Sequence, residues 1–232
     1  MPPFADFSVN SPVQSPNIPI MADNYLGRKM EEYFARSQSR TARPAMTLDR
    51  LLSKNRSHRG YDARFVVRSD QLLRIIGVNA RIPSARNQQV LRFRPVLADE
   101  AAAVLPHIRL GGALPGLQLP LPGTEPNAFI VVCATVEESR YVDIDLGISA
   151  QSMLLKAVEL GLNGICIGAF DRDKVRQALG LPFEPLLILA IGRGAEKIEL
   201  TEIGANESRD YYRDESGTHY VPKLRFEELL IV

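Results

Sequence analysis

Three short polar clusters concentrate the groups in this sequence that are able to hold a ligand. Asn55-Arg56-Ser57-His58-Arg59 sets two guanidinium groups and a hydroxyl within one short run. Guanidinium forks donate hydrogen bonds in pairs, so the run suits a phosphate or ribose phosphate; it also reads as an exposed helix end dressed with arginine. Pro83-Ser84-Ala85-Arg86-Asn87-Gln88-Gln89 packs amides and a hydroxyl ahead of an alternating stretch. Amides present donors and acceptors side by side, as the edge of a heterocycle requires, and an ordinary Asx-type turn uses the same residues. Val221-Pro222-Lys223-Leu224-Arg225 adds a basic pair which, alone, reads as solvated surface.

Other chemistry finds no support. The three histidines, His58, His107 and His219, stand far apart, and no Cys/His spacing fits a metal. Walker A, GxGxxG and GxSxG patterns are absent. No side chain is assigned a catalytic role and no metal is expected. Cys133 (in AFIVVCAT) and Cys166 (in GICIGAF) lie in apolar runs and are expected as buried, reduced thiols.

These clusters must be positioned by the rest of a 232-residue chain, enough for one generous domain or two small ones. Its 28 basic and 27 acidic residues leave a net charge of +1, which argues against nucleic acid or a membrane surface as main partner. No apolar run approaches the roughly 20 residues of a membrane span. A soluble, cytoplasmic protein is the expectation. Residues 1–22, with five prolines before Met21, are expected to form an extended or disordered arm. The following 23–232 are expected to form the functional domain.

Within that domain the patterning predicts a helix over 25–40, a short helix after Thr47 as N-cap, and a helix over QLLRIIGVNA capped by Ser69 or Asp70. VLRFRPVL alternates like a strand, with Val90, Arg92 and Arg94 on one face. The Gly/Pro-rich stretch 106–127 is expected to be a lid or cofactor-covering loop. AFIVVCAT, NGICIG, PLLILAIG and KIELTEIG read as strands. A long helix opening at Asp143 or Asp145 runs to a stop at Gly161, and DRDKVRQALG is a capped helix ending at Gly180. The long helix is apolar on most sides and so should be buried on most sides. Strands and helices mix without strict βαβ repetition, so the fold class is α+β.

In order along the chain, RSHRGYD (56–62), IPSARNQQ (82–89), DIDLGISAQSMLLKAVELGLNGICIGAF (143–170) and VPKLR (221–225) resemble the motifs of the FMN-dependent nitroreductase family. The resemblance runs from about Leu48 to the C-terminus. It implies a central, mostly antiparallel sheet flanked by helices, in an intertwined homodimer that binds FMN at its interface. By that resemblance Arg56, Ser57 and Arg59, joined by Lys223 and Arg225, would hold the phosphate and ribityl chain. Ser84, Asn87 and Gln89 would approach the flavin from the partner subunit, and backbone amides at Gly168 and Ala169 would face its ring. Asn55 and Arg193 depart from the family's usual residues at their positions.

The implied activity is an NAD(P)H-dependent FMN oxidoreductase that reduces nitroaromatic, quinone or similar acceptors in a ping-pong cycle. Alternatives are a non-catalytic FMN or phospho-metabolite binding module, and a flavin enzyme of the same fold with another reaction, such as reductive dehalogenation or consumption of the flavin.

Overall fold

AFIVVCA is apolar at every position, and only a strand covered on both faces can accommodate such a run. That strand is the centre of the fold. In a computed structural model, which describes residues 46–111 and 119–231, β2 (Ala128–Ala134) is buried along its whole length. It is flanked by β1 (Leu91–Val96) and β4 (Glu184–Gly192), and β3 (Asn163–Ile167) closes the sheet beyond β4. The order is β1-β2-β4-β3, and every pairing is antiparallel. The expected mostly antiparallel sheet is therefore present. The arm expected over 1–22 and the helix over 25–40 lie outside the described residues, as does 112–118 of the Gly/Pro-rich stretch.

Side chains on β2 and β4 alternate between two cores, as the two-residue period of a strand demands. Phe129, Val131, Cys133, Ile188 and Ala190 join Ile165, Ile167 and Tyr61 on one face. Ala128, Ile130, Val132, Leu189 and Ile191 pack on the other against Leu72, Ile75, Met153, Leu154 and Ala157. The second face is covered by α2 (Ser69–Ile76) and α3 (Arg140–Glu159). A short α1 (Leu48–Lys54) precedes them, with the Thr47 side chain accepting from the Arg50 N–H at 3.3 Å, as predicted. Past β3, α4 (Arg172–Ala178) starts with Asp171 accepting from Lys174 N–H, and Val175 contributes to the first core. A second sheet has the order β5-β7-β6. β5 (Ile198–Ile203) and β7 (His219–Leu224) run parallel, while β6 (Tyr212–Arg213) is antiparallel to β7.

Three local readings are corrected. α3 begins at Arg140, not at Asp143 or Asp145, because Ser139 accepts the Val142 N–H and caps one turn earlier. α2 begins at Ser69 with Arg68 as its N-cap, and Gln71 reaches back to accept the Arg68 N–H at 3.0 Å. Cys166 is exposed while Cys133 is buried. The apolar run around Cys166 belongs to an edge strand, whose Ile165 and Ile167 face the core and whose intervening residue does not.

The segment after α1 is stitched onto this frame by its backbone. Ser57 bridges to Gly164 in parallel, and His58 N–H donates to Gly164 O at 3.3 Å. Farther on, Tyr61 bridges to Gly194, Asp62 N–H donates to Arg193 O at 2.8 Å and Ala195 N–H to Gly60 O at 3.1 Å. Close approach requires glycine here: a Cβ at Gly194 would overlap the buried His58 ring, and one at Gly192 would meet Tyr61 Cδ1 at 2.6 Å. Gly194→Ala is expected to lower stability by about 1–3 kcal/mol, because a closed ring with no room to retreat is displaced. Urea denaturation of the two proteins measures the difference.

Candidate functional site

The polar run 55–59 sits between α1 and the bridge to Gly164, so its backbone is fixed and its side chains project beside the second sheet. There Asn55, Arg56, Ser57 and Arg59 line a cleft of about 150 Å³ with Tyr211, His219 and Lys223. The predicted first cluster and Lys223 therefore meet. Arg225 does not line this cleft: its N–H donates to Ile203 O at 3.0 Å, and its guanidinium lies beside Gly204 near Glu207 and Glu228. His219, Val221 and Lys223 share the cleft-facing side of β7; the strand ends at Leu224, and Arg225, which caps the following turn, no longer follows its alternation.

The lining carries three cationic side chains and no carboxylate. Arg56 Nε, Arg59 Nε and both ring nitrogens of His219 are buried with no hydrogen-bond partner among the described residues. Burial pulls the Arg56 guanidinium below its ordinary value, yet nothing on the lining neutralises it. Buried donors without acceptors are costly, and a multivalent anion such as a phosphate ester supplies the missing acceptors. On this observation the residues present fit a phosphate group.

Behind the cleft one carboxylate organises the backbone. Glu196 accepts from Arg59 N–H, from Gly60 N–H at 3.0 Å and from the Arg213 guanidinium. His58 Nδ1 lies 4.0 Å from it. Burial would raise the Glu196 carboxyl, but those donors outweigh it and hold the group below the ordinary value. His58 is pushed down, first by burial and then by Arg56 and Arg59, with Glu196 opposing. Arg59 in turn stands 5.5 Å over the Tyr211 ring. Glu196, Tyr211 and His219 stand outside every motif of the sequence, and His58, inside the first cluster, has no role assigned by it. Only proximity to the bridging glycines marks Glu196 in the sequence; the others carry no local signal.

The second predicted cluster opens elsewhere in the chain. Ser84 and Gln89 line a cleft of about 150 Å³ with Asn79, Phe93, Asp145 and Ser149; Asn87 is exposed outside it. Arg86, Asn87 and Gln89 all have left-handed backbones, with φ of 52°, 53° and 47°. Such strain persists only where surrounding bonds over-determine it. Asp145, buried on α3, provides them: it accepts Ala85 N–H and the Gln88 amide, both at 2.7 Å. Gln89 N–H also donates to Ser84 Oγ at 3.3 Å, and its amide to Asn87 Oδ1 at 3.0 Å.

Gly168 and Ala169 lie beyond the C-terminal end of β3, in a third cleft with His107, Arg109 and Lys174. Both are exposed, and Ala169 O accepts from Arg109 N–H at 2.8 Å. The described part of the Gly/Pro-rich stretch thus reaches this cleft, since Ile108 bridges to Phe170. Among the described residues no group of three metal-ligating side chains occurs, and no helix is long and apolar enough to cross a membrane.

Comparison with known proteins points one way. The family model of the nitroreductases matches residues 116–193, which span β2 to the end of β4. A curated relative from Methanocaldococcus jannaschii, named as a nitroreductase, is 39% identical over 57 residues, covering 25% of this chain. The match spans only 29% of that relative's length. The crystal structure of a nitroreductase family protein from Clostridium difficile 630 superposes with a TM-score of 0.52 at 25% identity, covering 65% of this chain and 86% of that one. An FMN- and NADPH-dependent nitroreductase from Sphigopyxis sp. strain HMH shares the fold, with a TM-score of 0.52 at 19% identity over 65% of this chain and 89% of its own.

The buried carboxylate yields a pH prediction. Because the folded state holds Glu196 below its ordinary value, its contribution is present above about pH 4.5 and is lost as pH falls through the lower folded value. Glu196→Ala strands two N–H groups and a guanidinium, so a loss of about 3 kcal/mol is expected at pH 7. That gap narrows on acidification, and denaturation curves taken from pH 7 to pH 3 measure it.

Proposed function

We propose that this chain, a nitroreductase-family protein by its fold and by its matched segment, is an FMN-dependent oxidoreductase that passes reducing equivalents from NAD(P)H to a small-molecule acceptor. The observation carrying the reading is the basic cleft, in which Arg56 Nε, Arg59 Nε and both His219 ring nitrogens have no hydrogen-bond partner among the described residues. Arg56, Ser57, Arg59 and Lys223 would hold the FMN phosphate there. When bound, FMN supplies a ring able to accept hydride from nicotinamide and return it to a nitroaromatic, quinone or similar acceptor in alternating half-reactions.

The protein's own work is binding and orientation, which is why no acid–base constellation is needed. β3 acts as a ruler between the two ends of the site. Ser57 is bridged at Gly164, and Gly168 lies four residues on, a rise of about 13 Å along an extended chain. A phosphate held at the first point would leave the ring near the exposed backbone of Gly168 and Ala169, where the absence of a bulky side chain permits close approach. Arg225, turned toward Gly204, has the smaller part in this reading.

A second copy of the chain completes it. Ser84, Asn87 and Gln89 sit on a loop that Asp145 fixes through Ala85 and Gln88; Ser84 and Gln89 open onto a different cleft from the basic one, and Asn87 is exposed beside it. Such exposed amides, bonded only to one another, suit a flavin carried by a partner subunit. α3 supports the same arrangement. Tyr141 and Ile144 are exposed and Ile148 and Leu155 half-buried, at the three- and four-residue spacing of a helix seam. A homodimer working in the cytoplasm is the resulting proposal.

The test begins with the visible spectrum of the purified full chain and the chromophore that heat releases from it. FMN in the released fraction, bleached on adding NADH or NADPH and restored by an acceptor, is the expected result. A colourless protein that refuses added FMN would overturn the reading. With each charge-assisted contact worth about 1.5–3 kcal/mol, Arg56→Ala with Lys223→Ala should weaken FMN binding by more than about a hundredfold. Arg225→Ala should cost far less, and flavin fluorescence titration ranks the variants.

A further inference from the structure

His219 has the least explained side chain in the basic cleft. It is fully buried, at 0% exposure, and neither ring nitrogen has a hydrogen-bond partner among the described residues. Its ring is not free to turn elsewhere. The residue opens β7 opposite Ile198, and its own N–H donates to Lys197 O at 2.9 Å. Tyr211 stands edge-on to the ring, with centroids 5.5 Å apart at 60°. A histidine kept only for packing would leave two polar atoms desolvated where an aromatic hydrocarbon would serve, so the cleft itself must supply their partner.

We propose that His219 is a phosphate-binding residue whose imidazole takes up a proton as a phosphate ester enters the cleft. The inference rests on the FMN reading above and extends it to the regulation of the same site. The charged groups around the ring set its direction. Arg56, Arg59 and Lys223 share the cleft lining, Arg213 approaches from β6, and Glu196 lies behind, where it already accepts from Arg59, Gly60 and Arg213. With no anion in the cleft, burial first, and then Arg213 and Arg59, push the imidazole below its ordinary value against the weaker pull of Glu196. A phosphate dianion reverses that balance by adding negative charge and an acceptor at the same point. His58 is a separate imidazole, facing Glu196 and off the lining.

The sign follows from proton uptake. Affinity for the ester is highest where His219 is readily protonated, and it declines as pH rises through the imidazole's value in the loaded protein. The phosphate's own second ionisation, near pH 6, has the opposite effect, so the histidine's contribution is read above pH 7.

Isothermal titration of the flavin-free full chain with FMN, in buffers of different ionisation enthalpy between pH 7 and pH 8.5, counts the protons directly. Riboflavin, which lacks the phosphate, is the matched probe. The expected result is uptake of up to one proton per FMN, with affinity weakening by up to about tenfold per pH unit, and no uptake with riboflavin. His219→Gln should abolish the uptake, and flatten the pH dependence of FMN affinity, while His58→Gln retains both. FMN binding without proton uptake, equal uptake with riboflavin, or uptake that survives in His219→Gln would each overturn the role of His219 and leave the cofactor reading standing. Should His219→Gln fail to fold, the comparison of FMN with riboflavin on the unaltered chain decides. No FMN binding at any pH would overturn both.

Discussion

A carboxylate taken out of water must be surrounded by donors, and in this protein the donors that surround Glu196 include the backbone of the segment that lines the basic cleft. Arg59 and Gly60 give it their N–H groups, and Arg213 adds its guanidinium from the second sheet. One buried charge thereby fixes the path of residues 57–62 between β3 and the chain leaving β4. It also neutralises Arg213 locally and leaves Arg56, Arg59 and Lys223 as the cations that face the cleft. Without that separation the cleft would be either a collapsed salt-bridge network or a disordered cluster of like charges. The geometry keeps the binding cations apart from the structural carboxylate, so an incoming anion does not have to compete with it.

The glycines make this proximity possible. Gly164, Gly192 and Gly194 each stand where a Cβ would collide with a neighbour: Leu154 and the Ala190 carbonyl for the first, Tyr61 for the second, His58 for the third. Tyr61, buried and donating to His58 O at 2.9 Å, then locks the segment into the first core. Core packing and site geometry are therefore one structure here. A polar run that would otherwise be a surface loop inherits the rigidity of the central sheet.

What the sequence made legible was whatever depends on local patterning. β2, β3 and β4 are continuous apolar runs, and Thr47, Asp171 and Gly161 punctuate helices by their own side-chain or backbone chemistry. The ordered motifs also pointed to the fold. Two helix starts failed on the choice between neighbouring caps, Ser139 for α3 and Arg68 for α2; other readings failed where the deciding partner is distant in sequence. Asp145 looked like a helix opener, because an acid near an N-terminus usually is one; it is buried in the second turn of α3 because its partners, Ala85 and Gln88, come from another loop. Cys166 looked buried since periodicity cannot tell an edge strand from a central one. Glu196 and His219 were passed over for the same reason, as a lone acid and a lone histidine acquire meaning only when β5 and β7 pair.

The same logic bears on the loop 84–89, which opens onto a cleft separate from the basic one. The loop 84–89 bears three residues with left-handed backbones, a strain of a few kcal/mol that Asp145 is buried to sustain. A loop serving only as a turn could relax by using glycine at those positions. Instead it holds amides rigidly outward, away from the basic cleft of its own chain, while α3 beneath it presents exposed apolar side chains along one seam. Strain and exposed apolar surface are each unfavourable in an isolated chain; in the proposed homodimer both would be offset by a second copy that buries the seam and brings its cleft to the loop. In that proposed assembly dimerisation and cofactor binding would be coupled, each ordering the surface that the other requires. Flavin-free protein should then associate more weakly than loaded protein, since the coupling free energy between two sites is reciprocal.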